Sequence, residues 1–256
     1  MFQVTPIPAF NDNYIWALQA PGSTHIAVVD PGDAAPVEQY LQQNGLSLAA
    51  ILITHHHADH TGGVAQLVAS HSVPVFGGHQ SSFKGVTQPL TQGETLDLLG
   101  LQLKVAEVPG HTLDHISYYQ PTGNGQLFCG DTLFLAGCGR LFEGTPAQML
   151  AAMQYFRNLP GSTEIYCTHE YSLANLAFAQ AVEPDNTAIT QSIINCQQRR
   201  ADNLPTLPST IAAELQINPF MRTNKPDVIA AAARFNTSRG DETVIFTAIR
   251  EWKNQF

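Results

Sequence analysis

Thr54-His55-His56-His57-Ala58-Asp59-His60 directly follows the apolar run of residues 48–53 and is the densest cluster of polar, metal-binding residue types in the chain. Side chains alternate between the two faces of an extended backbone, so His55 and His57 point the same way while His56 points oppositely. Two imidazoles on one face can bind the same metal ion. Simple packing explains such a polar cluster poorly, because polar side chains brought inward need partners.

The second half of this stretch can reach a different metal ion. Thr61-Gly62-Gly63 opens the next segment, so the chain turns after Ala58 and can swing Asp59 and His60 towards a second site. Two adjacent metal sites are therefore predicted from seven residues. The same residues could also form a solvated histidine-rich turn or an incidental metal-binding tract, and this stretch alone leaves that alternative open.

Composition limits the classes of partner. The 256 residues favour one large domain plus an appendage, and 44% hydrophobic residues can bury a sizeable core. Only 13% of residues are charged and the net charge is -9, which argues against nucleic acid or an anionic membrane as partner. An anionic small-molecule substrate would need a local basic patch.

Targeting signals are not evident. Residues 1–22 lack a basic start and are interrupted by Asn11-Asp12-Asn13, so they do not resemble a signal peptide. No apolar run approaches the roughly 20 residues that span a bilayer. The four cysteines show no C-x-x-C spacing, so neither a zinc knuckle nor a redox pair is indicated. We expect a cytoplasmic, soluble monomer with no membrane partner.

The order of predicted elements indicates an α/β (α+β) fold with a change of composition near residue 170. Residues 1–170 alternate strands with covering helices, whereas residues 171–256 form helices separated by prolines, with no further strand expected. The predicted strands are 25–30, 48–53, 73–76, a hairpin within 94–108, 116–119, 126–129 and 164–167. The predicted helices are 36–44, 63–70, one beginning at Thr145-Pro146, 173–181, 187–200, 211–215, 227–235 and 242–253.

Polar residues that follow apolar strands supply the candidate metal ligands. They are His55, His57, Asp59, His60, His111, Asp131 and His169. We assign one metal ion to His55, His57 and His111. A second ion is assigned to Asp59, His60 and His169, with Asp131 as the bridge between the two. Imidazole and carboxylate ligands suit zinc, which we expect first, and leave iron or manganese open.

The remaining histidines are expected to have simpler roles. Three of them have no companion motif residues in the sequence and should be surface or half-buried polar residues: His25, His71 and His79. His56 and His115 are interpreted as structural or supporting groups. Asp30 could orient the histidine turn through a hydrogen bond, or it could belong to an ordinary Asp-Pro-Gly turn.

These residues together resemble the metallo-β-lactamase superfamily, which implies an αββα sandwich with a metal site on one edge. The shared features are the H-x-H-x-D-H stretch, Pro109-Gly110-His111-Thr112, Gly130-Asp131 and the late His169. More narrowly, the chain resembles the glyoxalase II, or hydroxyacylglutathione hydrolase, family over nearly its whole length. The motifs that carry this are Cys129-Gly130-Asp131-Thr132-Leu133-Phe134, Gly137-Cys138-Gly139-Arg140, Glu143-Gly144-Thr145, His169-Glu170-Tyr171 and Asn218-Pro219-Phe220-Met221-Arg222.

The resemblance implies a reaction and a substrate. It implies hydrolysis of S-(2-hydroxyacyl)glutathione thioesters, chiefly S-D-lactoylglutathione to D-lactate and glutathione, which belongs to methylglyoxal detoxification. A hydroxide that bridges two metal ions would attack, and Asp59 would orient it as well as bind metal. The family's glutathione contacts correspond to Arg140, Phe142, Tyr171, Arg250 and Lys253. We expect residues 1–170 to form the metal-binding domain and residues 171–256 to form the helical substrate-binding domain.

Two departures from the family pattern bear on these expectations. Some members carry Lys and Tyr where this chain has Arg140 and Phe142, so the positive charge is kept but a hydroxyl hydrogen bond is lost. Leu113-Asp114 replaces a small Ser-Gly pair after the third histidine, which adds a carboxylate close to the metal ligands.

Elementary chemistry agrees with the resemblance without requiring it. Arg250 and Lys253 are spaced i, i+3 on the last predicted helix, so both can reach one anion, although cations near a helix C-terminus also complement its dipole. Arg140 could bind substrate or pair with Glu143. Tyr171 could bind substrate or simply pack. A thiolate, with a pKa of roughly 8.5, leaves a thioester without a general acid.

Three other functions are compatible with parts of the sequence. A mononuclear iron persulfide dioxygenase of the same superfamily would need only His55, His57, His111 and Asp131, and the paired cations of the long tail favour the hydrolase instead. A non-catalytic metal-binding scaffold would be expected to have lost ligands, and all seven are present. A β-lactam hydrolase is disfavoured because no export signal is evident.

Overall fold

Two mixed β-sheets form the centre of the structure, a computed structural model that describes residues 1–236 and 240–256. In chain order, the strands are β1 (Gln3–Ala9), β2 (Asn13–Gln19), β3 (His25–Val29), β4 (Ser47–Leu52), β5 (Val75–Gly78), β6 (Gln88–Leu90), β7 (Thr95–Leu98), β8 (Leu101–Glu107), β9 (Ile116–Gln120), β10 (Gln126–Gly130), β11 (Leu133–Phe134), β12 (Gly137–Cys138), β13 (Glu164–Cys167) and β14 (Ser209–Thr210). The helices are α1 (Ala34–Asn44), α2 (Ala58–Thr61), α3 (Val64–His71), α4 (Pro146–Arg157), α5 (Ser172–Val182), α6 (Thr187–Ala201), α7 (Ile211–Ile217), α8 (Pro226–Phe235) and α9 (Glu242–Gln255).

The first sheet has the strand order β1-β2-β3-β4-β5-β6. Its first three strands are antiparallel, and β3 to β6 run parallel, because helical connections such as α1 return the chain to the same end of the sheet. Ile51 of β4 is fully buried in a hydrophobic cluster with Val37 of α1 and Leu67 of α3. These two helices therefore cover one face of the first sheet.

The second sheet has the strand order β14-β13-β10-β9-β8-β7. A hydrophobic cluster joins it to the other face of the first sheet, where Trp16 and Leu52 are buried together with Tyr118 and Phe128. The same cluster continues into α4 and the helices of the tail. The predicted sandwich of two sheets with helical layers is confirmed.

Most predicted element boundaries are correct to within a few residues, because the chain carries explicit end signals. Gly45 ends α1 in the left-handed conformation, with φ of 64°, as predicted. Thr145 caps α4 and forms a capping box with Gln148, and Pro146 occupies the first turn. Throughout residues 1–236 and 240–256, every helix is too short or too polar to cross a bilayer.

The expectation that strands end before residue 171 is wrong in one place. Ser209 and Thr210 form β14, which pairs antiparallel with Ile165 and Glu164 of β13. The pair covers what would otherwise be an open edge of the second sheet. A two-residue strand has no periodicity that a sequence could reveal. The division into domains of residues 1–170 and 171–256 stays a prediction.

Candidate metal centre

The candidate ligands lie at one edge of the sandwich, where strand ends from both sheets meet. The histidine turn follows β4, and His111, Asp131 and His169 follow β8, β10 and β13. Backbone hydrogen bonds join the two sheets here: the Ile116 amide donates to the Thr54 carbonyl at 2.9 Å, and the Tyr14 amide donates to the Thr168 carbonyl at 2.7 Å. The edge is therefore held rigidly from both sides.

Three histidine nitrogens form the first cluster. Nδ1 of His57 lies 3.0 Å from Nε2 of His55 and 3.1 Å from Nε2 of His111. Nitrogens that bind one zinc ion at about 2.0–2.1 Å lie roughly 3.3 Å apart in tetrahedral geometry. The observed separations differ from this value by only a few tenths of an ångström, so the three residues can hold one ion.

The second cluster comprises Asp59, His60 and His169. Oδ2 of Asp59 lies 3.4 Å from Nε2 of His60 and 3.4 Å from Nε2 of His169. The one-turn helix α2 carries Asp59 and His60, as the predicted turn requires, and it turns them away from His57. The sequence prediction that one stretch serves two clusters agrees with this geometry.

Asp131 lies between the two clusters. Its Oδ2 is 3.5 Å from Nε2 of His111 and 3.3 Å from Nε2 of His169, and its Oδ1 is 3.5 Å from Nε2 of His60. Among the described residues, Nε2 of His60 and Oδ1 of Asp131 are buried without a hydrogen-bond partner. Buried polar atoms without partners are costly, and a cation between them would remove that cost. The donor set therefore fits divalent metal ions.

A further layer of hydrogen bonds orients the ligands. Nδ1 of His111 donates to the Arg140 carbonyl at 2.8 Å, and Nδ1 of His60 lies 3.0 Å from Asp30. Asp30 also accepts from the amide and hydroxyl of Thr54, each at 2.7 Å, so it orients the histidine turn. With Nδ1 engaged, Nε2 of each imidazole is free to bind metal.

Two orienting residues were not foreseen from the sequence. Nδ1 of His169 lies 2.8 Å from Oδ1 of Asp12, and Nδ2 of Asn13 donates to Oδ2 of Asp59 at 3.1 Å. Asp12 lies in the turn between β1 and β2, and Asn13 is the first residue of β2. The only local signal was the polar run Asn11-Asp12-Asn13 between two apolar segments, which does not reveal a contact 157 residues away.

The protonation tendencies suit a cation. Burial lowers the pKa of His55, His57 and His111, which favours neutral imidazoles. Burial would raise the pKa of Asp131, but His60 and His169 hold it well below its usual range. Asp131 is therefore ionised. Burial would also lower the pKa of His60 and His169, but the neighbouring carboxylates raise it, that of His169 to about 10, so a metal ion in the second cluster would displace protons from these two histidines.

The other histidines lie outside the two clusters, as expected. His56 points away from the clusters, with Nδ1 2.9 Å from Asp114, and His115 stacks on His55 at 4.6 Å and accepts from the Asp131 amide. His71 is half-buried and His79 is exposed, as expected; Nε2 of His71 lies 3.0 Å from Glu38, and Nδ1 of His79 lies 3.4 Å from Glu107. His25 is exposed.

Close backbone packing at the centre requires glycine at two positions. A Cβ atom on Gly32 would lie 1.8 Å from the Asp59 carbonyl oxygen, and one on Gly139 would lie 2.0 Å from the Asp131 carbonyl oxygen. Neither approach is possible for another residue without moving the backbone that carries a candidate ligand.

A cavity of about 470 Å³ opens beside the clusters. It is lined by His57, Asp59, His111, Asp131, Phe134, Cys138, Gly139, Arg140, Phe142, His169, Tyr171, Ala174, Asn175, Arg250 and Lys253. All five residues that the family resemblance assigns to substrate are therefore in its wall. A larger cavity, of about 560 Å³, lies in the helical tail near Arg222 and contains none of the candidate ligands.

The cavity's cations are held in different ways. Arg250 is buried, donates through Nη1 to the Cys138 carbonyl at 2.9 Å and packs on the Phe220 ring. Lys253 donates to the Ala174 carbonyl at 3.1 Å. Arg140 does not pair with Glu143, whose carboxylate accepts from the Leu113 amide at 2.8 Å.

Two aromatic rings border the metal clusters. Tyr171 stacks on His169 with ring centroids 4.7 Å apart and the ring planes parallel within 1°. Phe142 is 63% exposed, and its ring lies edge-to-face with that of His111, with ring centroids 5.2 Å apart. Both rings therefore form an apolar wall beside the polar clusters.

Comparison with known proteins agrees with this geometry over the whole chain. A model described as the metallo-beta-lactamase superfamily matches residues 11–169, and a model described as the hydroxyacylglutathione hydrolase C-terminus matches residues 170–256. A protein from Hahella chejuensis named hydroxyacylglutathione hydrolase is 50% identical over 258 residues, covering all of both chains. The chain belongs to the hydroxyacylglutathione hydrolase family.

Other relatives bear the same family name. A hydroxyacylglutathione hydrolase from Cupriavidus taiwanensis is 51% identical and covers all of both chains. The ETHE1 structure from Myxococcus xanthus, 20% identical with a TM-score of 0.65, covers 99% of this chain and 98% of its own, and shows the fold alone. Members of the hydroxyacylglutathione hydrolase family are metal-dependent hydrolases, as the fold and the ligand clusters indicate. The persulfide dioxygenase alternative is therefore not favoured.

Proposed function

We propose that this protein hydrolyses S-(2-hydroxyacyl)glutathione thioesters, chiefly S-D-lactoylglutathione to D-lactate and glutathione. The observation that carries the proposal is the single cavity that joins the two ligand clusters to Arg140, Arg250 and Lys253. A hydrolytic centre and an anion-binding wall then face the same substrate. The names of the close relatives support this reaction.

We assign two divalent metal ions to the centre, with zinc expected first. His55, His57 and His111 would hold one, Asp59, His60 and His169 would hold the other, and Asp131 would bridge them. Such ions lower the pKa of bound water and polarise a carbonyl oxygen. The separations of 3.0–3.5 Å between neighbouring donor atoms, and the buried donors without partners, support this assignment.

Recognition of glutathione falls to the cavity wall. The tripeptide is anionic at neutral pH, whereas the chain has a net charge of -9, so binding needs local positive charge. Lys253 and Arg140 would bind its carboxylates, and buried Arg250 would hold the wall through the Cys138 carbonyl while it contributes charge. Tyr171 and Phe142 would contact the tripeptide with their rings.

Asp59 is suited to orient the attacking water. Its side chain is 42% exposed and lines the cavity, and its Oδ2 accepts from Nδ2 of Asn13. The carboxylate can therefore accept a hydrogen bond from a water molecule in the cavity while it also belongs to the second cluster. The thiolate of glutathione, with a pKa of roughly 8.5, departs without a general acid.

The test is hydrolysis of S-D-lactoylglutathione by zinc-loaded protein, followed at the thioester absorbance. Wild type should turn over, and Lys253→Met should raise KM about tenfold with kcat changed less than twofold, because binding charge is lost. Lys104→Met, at an exposed position on β8, is the matched control and should behave as wild type. No turnover with two ions bound per chain would refute the proposal. Cytoplasmic location and the monomeric state stay predictions.

A further inference from the structure

The loop between β12 and α4, residues 139–144, forms one wall of the cavity and is here named the cavity loop. It carries Arg140 and Phe142, both of which line the cavity. Its backbone is tied to the turn after β8, because the Phe142 amide donates to the His111 carbonyl and the Gly144 amide donates to the Gly110 carbonyl. The position of this loop therefore sets the distance between these two cavity-lining side chains and the candidate metal ligands.

His56, the middle histidine of the Thr54–His60 stretch, contacts the cavity loop. Nε2 of His56 lies 3.3 Å from Oε1 of Glu143, and the other carboxylate oxygen of Glu143 accepts from the Leu113 amide at 2.8 Å. Glu143 thereby joins the histidine turn, the turn after β8 and the cavity loop through one side chain.

The other side of the His56 ring is held by Asp114. Nδ1 of His56 lies 2.9 Å from Oδ1 of Asp114, which also accepts from the Thr112 hydroxyl at 2.7 Å. Oδ2 of Asp114 accepts from the Ser81 hydroxyl at 2.9 Å. The carboxylate that departs from the family pattern thus faces His56 and not the metal ligands, and it is anchored by three partners.

The geometry points to His56 as a positioning residue that links Asp114 to Glu143 and so holds the cavity loop over the metal centre. The inference rests on the proposed function, because the loop matters through the glutathione contacts of Arg140 and Phe142. A third metal site is a poorer interpretation: the imidazole lies between the two carboxylates with a different nitrogen towards each, and the oxygens of Asp114 are already engaged.

The magnitude of the effect follows from exposure. The side chains of His56 and Glu143 are 23% and 36% exposed, and contacts between partly exposed polar groups are weak because solvent screens them. We therefore expect loss of the contact to raise KM about three- to fivefold, with little change in kcat, because the ligands themselves keep their places.

The experiment is a double-mutant cycle. His56→Asn keeps a donor at the position of Nδ1 for Asp114 but removes the group that faces Glu143, and Glu143→Ala removes its partner. Each single variant should raise KM three- to fivefold, and the double variant should raise it no further than the larger single effect. Metal content should stay at the wild-type value. His71→Asn and Glu38→Ala, a histidine and glutamate pair of α3 and α1, form the matched control cycle and should leave KM unchanged.

Amide hydrogen exchange gives a readout independent of turnover. Peptides that cover residues 139–144 should exchange faster in both single variants, and to the same extent in the double variant. Effects on exchange and on KM that multiply in the double variant would overturn the inference. So would a parallel fall of kcat and metal content in His56→Asn, which would make His56 a support of the ligand turn alone. An inactive wild type would refute the proposed function, and the exchange data would still decide the inference.

Discussion

Oδ2 of Asp131 lies 3.3 Å from Nε2 of His169, and the same oxygen is 3.5 Å from Nε2 of His111. These two histidines follow different strands of the second sheet and belong to different ligand clusters. One carboxylate therefore connects two groups of ligands that the chain separates widely. The parallel pairing of β10 and β13 produces this arrangement, because it places Asp131 and His169 at the same end of neighbouring strands.

With two ions bound per chain as proposed, Asp131→Asn should leave about one and lower kcat at least a hundredfold. The amide keeps the shape of the side chain but loses the charge that both clusters face. Metal per chain, measured by elemental analysis after dialysis, checks the result. Asp185→Asn, at an exposed position, is the control. Two ions retained after this substitution would contradict the bridging assignment.

Asp12 should tune metal affinity without binding metal. It accepts from Nδ1 of His169 at 2.8 Å and so fixes the ring with Nε2 towards the second cluster. Asp12→Ala should weaken the affinity of one of the two ions by about 10- to 100-fold, as is typical when a partner of a ligating histidine is lost. Competition with a chromophoric chelator measures this. The neighbouring exposed variant Asn11→Ala should bind both ions as wild type does, and equal affinities in the two variants would contradict the role.

The candidate ligands could be predicted from sequence because each follows an apolar strand, and strand ends of a sandwich meet at one edge. The alternation rule also placed His56 on the opposite side from His55 and His57. The partners of these residues could not be predicted. Asp114 and Glu143 reach His56 only because turns after three different elements meet, and such a meeting depends on sheet packing that leaves no local periodicity.

Glu214 should make stability depend on pH between about 4.5 and 7. Burial raises its pKa from the usual 4.5 to about 7, although Ser209, Asn218 and the Ala136 amide donate to its carboxylate. The folded state therefore binds a proton more tightly than the unfolded state. The stabilisation is fully present below about pH 4.5 and is lost as pH rises through 7, by about 3 kcal/mol in total.

Denaturant unfolding of wild type and Glu214→Gln at pH 5 and pH 8 measures this contribution. Between the two pH values, the free energy of unfolding of the variant should change by about 2.5 kcal/mol less than that of wild type. Glu251→Gln, at an exposed position on α9, should keep the wild-type difference. If the free energy of unfolding of Glu214→Gln depended on pH as strongly as that of wild type, groups other than Glu214 would cause the dependence.

Lys253 should set the upper pH limit of substrate capture. Burial, followed by the charge of Arg250, lowers its pKa to about 8. Below this pH the ammonium group is charged and attracts an anionic thioester; as pH rises through 8, the free enzyme loses that charge. We therefore expect kcat/KM for S-D-lactoylglutathione to fall about three- to tenfold between pH 7 and 9.5, since this parameter reports groups of the free enzyme.

Lys253→Arg separates this cause from the titration of the metal centre. A guanidinium stays charged throughout the range, so the variant should keep an almost flat kcat/KM up to pH 9.5, even if its value at pH 7 differs from wild type. Lys104→Arg, on the exposed side of β8, should retain the wild-type fall. The same fall of kcat/KM with pH in Lys253→Arg would show that the titration of another group limits binding at high pH. The positive charge of Lys253 would then not be decisive for substrate binding.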